Sequence, residues 1–123
     1  MRARYEKGMT DLLTPITHPL LTNAGVRHGF FTRTGGVSTG LYQGLIHSTV
    51  TRVAEAGWKG FRPEGDAVAS AAPGAICAVL TADCAPILLA DATAGVVAAV
   101  HAGWKGALDG VVHSAVAAMQ ALG

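Results

Sequence analysis

From Ala67 onward the chain is built of short apolar runs separated by turn residues. Ala75–Thr81 and Pro86–Ala90 are rich in Val, Ile and Leu and have strand length. Asp91-Ala92-Thr93-Ala94-Gly95, set between Pro86–Ala90 and Val96–Val100, predicts a hairpin turn. The runs are continuously apolar rather than alternating, the pattern of strands covered on both faces. Beyond them Ala107, Leu108, Val111, Val112, Ala115, Val116, Met119 and Leu122 recur at helical spacing, with Lys105, Asp109, His113 and Gln120 off the stripe. That spacing predicts one long amphipathic helix.

Upstream the pattern is weaker. Residues 1–25, with Thr14-Pro15 and His18-Pro19, read as an irregular lead-in. Val26–Thr32 predicts a strand ending at Gly35-Gly36, and Val37–Gly44 continues as loop. Thr49–Val53 predicts a short strand with Arg52 on one face, and Gly57–Gly65 a surface loop. Strands followed by a packed helix give an α+β class with mixed α/β layers, in one domain over residues 26–123. One helix covers one face of a sheet, so the other face needs a further layer.

Composition narrows the function classes. With 50% hydrophobic residues among 123, disorder is excluded as the default state. A formal net charge of +1 leaves no basic excess to neutralise phosphates, which argues against a strong nucleic-acid binder. Aromatics are only 6%, so the core must be made of small side chains. Two cysteines make no disulfide framework, and with glycine, Asp and His counted as breaks no uncharged run has the length of a membrane span. Met1–Lys7 is polar and basic with no apolar stretch behind it. The expectation is a soluble domain of a reducing, cytoplasmic compartment.

Reactive side chains concentrate in Thr81-Ala82-Asp83-Cys84-Ala85-Pro86 and His101-Ala102-Gly103-Trp104-Lys105-Gly106. If Ala90 and Gly95 flank the hairpin turn, Cys84 and His101 stand six positions out on either side and meet across the pair. A thiol beside an imidazole suits a metal site or a Cys–His nucleophile pair, and equally two ordinary half-buried residues. His47, near the Thr49–Val53 strand, would complete a three-ligand set with an open fourth position, the pattern of a catalytic zinc. Cys77 reads as a buried small hydrophobe, His18 as a loop residue, His28 as packed in its strand and His113 as solvated. Lys105 at the helix start, and Arg33 in Thr32-Arg33-Thr34-Gly35-Gly36, suit an anion, or simply helix initiation and a turn.

His28-Gly29-Phe30-Phe31-Thr32-Arg33-Thr34-Gly35-Gly36-Val37-Ser38, with Gly40-Leu41-Tyr42 after it, resembles the N-terminal signature of the YfiH/laccase-domain family. The Asp83-Cys84 and His101-Ala102-Gly103-Trp104 segments resemble its two central signatures, and Asp66-Ala67 and Pro73-Gly74 match further positions. The resemblance implies a mixed α/β fold of cysteine-hydrolase type. It also implies a purine nucleoside enzyme, combining adenosine, inosine and methylthioadenosine phosphorolysis with adenosine deamination. Carried over, the zinc ligands are His47 (in Leu-Ile-His where the family has Gln-Val-His), Cys84 and His101. The implied partners are a purine nucleoside and phosphate, with Asp83 as proton acceptor and Arg33 and Lys105 steadying the phosphate. The family carries an additional segment before the His47 motif and continues for about as long again, so this chain resembles a shortened member. Two alternatives stand beside this reading. One is a metal-free Cys84–His101 hydrolase-like enzyme. The other is a non-catalytic domain that self-associates over a bare sheet face. The polyphenol oxidase label ranks last, because one Cys and two His fall short of a multicopper cluster.

Overall fold

The computed structural model describes residues 15–31, 46–54 and 63–123. The chain divides into two compact units, Met1–Thr39 and Gly40–Gly123. In the first, the expected irregular lead-in contains a short helix, α1 (Pro19–Asn23), with Pro19 at its first position and His18 as its cap. The His18 Nδ1 accepts the Leu20 N–H at 3.2 Å. The strand expected over Val26–Thr32 reduces, among the described residues, to a single antiparallel bridge between Phe30 and Ile16. Its next rung fails for a local reason: the His18 N–H donates to the His28 ring at 2.8 Å, and so does not reach a ladder carbonyl. Arg33 and the Gly35-Gly36 turn lie outside the described residues, as do Val37–Gly44 and residues 57–62 of the expected loop.

The second unit holds a four-stranded mixed sheet. Its strands are β1 (Thr51–Val53), β2 (Ala67–Ser70), β3 (Ala85–Asp91) and β4 (Val96–Ala102). The order is β1-β2-β4-β3, with β1 parallel to β2 and the other pairs antiparallel. The β3–β4 hairpin closes as the sequence predicts. The Asp91 carboxylate accepts the Thr93 and Ala94 N–H groups, both at 2.9 Å, and Gly95 takes a left-handed φ of 69°.

The predicted long helix is two: α2 (Trp104–Asp109) and α3 (Val111–Leu122). Gly110, at φ 100°, ends one and begins the other. The change of direction removes Leu108 from the apolar stripe and leaves it 78% exposed; Ala107 and Val116 are exposed as well. Val111, Ala115 and Met119, four residues apart, are the positions that α3 buries. They pack on Ala67, Ala69, Val96, Ala98, Val100 and Ala102. Lys105, Asp109, His113 and Gln120 are exposed, as their places off the stripe predicted.

Strand alternation puts the neighbours of those residues on the opposite face. There Val68 and Ala99 are buried with Ala54, and Cys77, Val79 and Leu88 pack against them. The run Ala75–Thr81, expected as a strand, is therefore mostly a non-strand segment lying over this second face. The face is not bare: the Cys77 Sγ approaches the Val97 carbonyl at 3.9 Å. Within residues 75–81 only Cys77 makes a bridge, and the central strands β2 and β4 are each paired on both sides, so the segment packs over the sheet instead of entering it.

Candidate metal centre

The second face of the sheet also carries the reactive residues. His101 in β4 has the parity of Ala99, and so points away from α3. The hairpin register pairs His101 with Pro86 and Ala85 with Ala102. Cys84 is thus diagonal to His101 and level with Gly103, a register two residues from the one expected. Because side chains alternate with a period of two, that offset preserves the face, and Cys84 and His101 still meet. His47 reaches the same place from the segment before β1.

His47, Cys84 and His101 offer ligand atoms that all lie within 4.8 Å of one another, from exposed, half-buried and buried positions respectively. The two imidazoles stand edge to face, with centroids 5.2 Å apart and planes at 74°. Gly103 makes room for them: a Cβ there would lie 3.1 Å from His47 Cδ2 and 3.3 Å from Cys84 Sγ. One sulfur and two imidazole nitrogens suit zinc, whose ligands in tetrahedral geometry stand about 3.5 Å apart. The donor set therefore fits such an ion after small side-chain adjustments.

The trio is supported by Asp66, which the sequence showed only as part of an Asp-Ala match. This carboxylate is fully buried immediately before β2. It accepts the N–H groups of Ile46 (3.4 Å), His47 (3.0 Å) and Ser48 (2.7 Å), and the Ser48 hydroxyl (2.7 Å). His101 Nδ1 lies 2.9 Å from its Oδ1, and the Asp66 carbonyl accepts the His101 N–H at 2.7 Å. Burial alone would raise the Asp66 pKa, but the bonds from Ser48, His101 and His47 together hold it below the usual carboxylate range. With the anion beside Nδ1, the proton of a neutral His101 sits there and Nε2 carries the free lone pair. His47 has a φ of 55°, a conformation that costs a non-glycine residue about 1–3 kcal/mol and is held here by the Asp66 bonds. The signal available in the sequence was a lone acid directly before the apolar run Ala67-Val68-Ala69.

The other expected site residues are less engaged. Asp83 is exposed beside Cys84, and Lys105 is exposed in the first turn of α2. Among the described residues neither is hydrogen-bonded to the three. Arg33 lies outside the described residues. Cys77, expected to be buried, is half-buried against the second face of the sheet, and desolvation pushes its thiol up to about 11.

A purine nucleoside phosphorylase of Deinococcus radiodurans is 37% identical over 142 aligned residues, covering 85% of this chain and 55% of that protein. The purine nucleoside phosphorylase SCO2081 of Streptomyces coelicolor is 48% identical over 85 residues, covering 68% of this chain and 35% of the relative. The crystal structure of the Neisseria meningitidis protein NMB0706, a DUF152 protein, superposes with a TM-score of 0.60 at 42% identity. That match covers 65% of this chain and 33% of the other. The chain thus spans little more than half the length of the first relative and about a third of the other two. Residues 44–123, which hold the sheet, the hairpin, α2, α3 and all three candidate ligands, match the family model described as multi-copper polyphenol oxidoreductase laccase. On that match the chain belongs to the laccase-like YfiH family.

Proposed function

We propose that this chain carries the zinc site of a purine nucleoside enzyme, which cleaves adenosine, inosine or methylthioadenosine with phosphate and deaminates adenosine. The observation that carries the reading is the convergence of His47, Cys84 and His101 within 4.8 Å. Relatives named purine nucleoside phosphorylase support it. When bound, zinc supplies a Lewis acid that polarises the oxygen nucleophile or the substrate. His101 would ligate through Nε2 while Asp66 holds its Nδ1, and His47 and Cys84, the latter as the thiolate, would complete the set. Asp83 accepts the proton released as water attacks the purine carbon bearing the amino group, and the amino group takes up a proton and leaves as ammonia. In phosphorolysis Lys105 steadies the phosphate that attacks the anomeric carbon as the purine base leaves. A reducing cytoplasm keeps Cys84 available as a thiol.

The test is metal content by mass spectrometry on the purified protein beside Cys84→Ala. Adenosine assays with and without phosphate follow, because phosphorolysis releases adenine and deamination releases inosine. About one zinc per chain, lost in the variant, supports the reading. Absence of zinc after incubation with the metal overturns it.

A second reading draws on the same hydrogen bond. Asp66–His101–Cys84 is the order of a carboxylate-oriented base beside a thiol, so a metal-free Cys84 nucleophile activated by His101 is the alternative. Activity that survives a chelator and disappears on alkylation of Cys84 favours it. The non-catalytic, self-associating alternative draws on the apolar pair Trp104 and Leu108, 82% and 78% exposed on α2. Mass in solution tests it, and a monomer overturns it.

A further inference from the structure

The Asp66 carboxylate does more than occupy a buried corner. Its Oδ1 lies 3.0 Å from the His47 backbone nitrogen and 2.9 Å from His101 Nδ1. One oxygen atom is therefore bonded to both residues that supply imidazoles, although they come from a loop and a strand far apart in the chain. The other oxygen accepts from Ser48, through its N–H and its hydroxyl, and at longer range from the Ile46 N–H. We infer that Asp66 is the positioning residue of this centre, assembling His47 and His101 before any metal arrives. This rests on the metal reading above, but the assembly is a property of the chain alone.

Two consequences follow from the geometry. The carboxylate selects the His101 tautomer with the proton on Nδ1, leaving Nε2 as the ligand. The His47 N–H bond fixes a left-handed backbone conformation that a non-glycine residue avoids when unsupported, and so fixes the direction from which the second imidazole arrives. An Asn at position 66 has the same shape but one neutral oxygen and an NH₂ group. It cannot accept from all the donors that Asp66 serves.

The experiment measures two quantities on the full chain: the His101 tautomer of the metal-free protein by nitrogen-15 NMR, and zinc affinity by competition with a chromogenic chelator. Asp66→Asn is compared with Ser48→Ala, which removes one bond to Oδ2 and leaves both bonds to Oδ1. We expect the Nδ1–H tautomer in the metal-free wild type and in Ser48→Ala. Asp66→Asn is expected to lose it and to bind zinc about 10–100-fold more weakly, with Ser48→Ala weakened less. A wild-type His101 protonated on Nε2 overturns the inference even if Asp66→Asn fails to fold. So does a folded Asp66→Asn that keeps wild-type affinity. A wild type that shows the Nδ1–H tautomer but takes up no zinc defeats the metal reading and leaves the positioning role standing.

Discussion

Gly103 stands level with Cys84 across the hairpin, and the space its missing side chain leaves is the space that the Cys84 sulfur and the His47 ring use. Its backbone, at φ −72° and ψ 168°, is open to any L residue. Gly103→Ala therefore strains the site and not the main chain. We expect zinc affinity to fall on the order of tenfold, about 1.4 kcal/mol, with the melting temperature nearly unchanged. A titration and a melting curve on the same sample check both halves, and unchanged affinity would mean that the His47 ring yields freely.

Cys77 gives the chain a definite alkaline limb. Its thiol is raised from 9.0 to about 11 by burial, so the folded state holds this proton more tightly than the unfolded state. The stability from that proton is fully present below pH 9.0 and is lost as the pH rises through about 11. The full loss is at most about 2–3 kcal/mol. Urea unfolding at pH 8 and at pH 11, repeated on Cys77→Ala, should show the loss in the wild type and a shallower one in the variant. In a Cys84→Ala background, Cys77 should also react with a thiol reagent at pH 8 about 100-fold more slowly in native than in denatured protein.

At Gly110 the cost of a side chain comes from the backbone alone. A Cβ there meets only the His113 side chain, at ordinary contact distance, while φ is 100°. Gly110→Ala should destabilise the fold by about 1–2 kcal/mol, measured by denaturant unfolding. A neutral result would show that α2 and α3 can merge into the single helix that the apolar spacing suggests.

The core predicts its own intolerance of bulk. Seven of the twelve buried hydrophobic residues among those described are alanines, and the largest fully buried apolar side chains are valines. Ala115, which is fully buried in α3 against Val100 and Ala67, leaves no volume for a larger residue. Ala115→Leu should cost about 1–3 kcal/mol through overpacking, whereas Ala121→Leu on the exposed side of α3 should be nearly neutral. Thermal melts of the two variants separate these outcomes.

Part of this architecture is legible in the amino-acid sequence because it depends on neighbours along the chain. The β3–β4 hairpin follows from Asp91 and Gly95, whose turn chemistry is local. The buried positions of α3 follow from residues four apart, and the small-residue core follows from composition. The meeting of Cys84 with His101 survived a register wrong by two residues, because an even shift leaves side chains on the same face. The rest depended on contacts that spacing cannot encode. The run 75–81 has strand composition, yet it is used as a cover over Val68, Ala99 and Ala54, with only Cys77 in a bridge. A continuous helical stripe was broken at Gly110, where backbone freedom outweighed periodicity. Asp66 looked like one acid among eight until folding placed it, without solvent, against donors from residues 46–48 and 101. The sequence by itself determined that Cys84 and His101 share one face of the hairpin. Only the tertiary structure decided that a single buried carboxylate joins the two imidazoles, because a desolvated charge must collect its hydrogen bonds from whichever segments the fold brings to it.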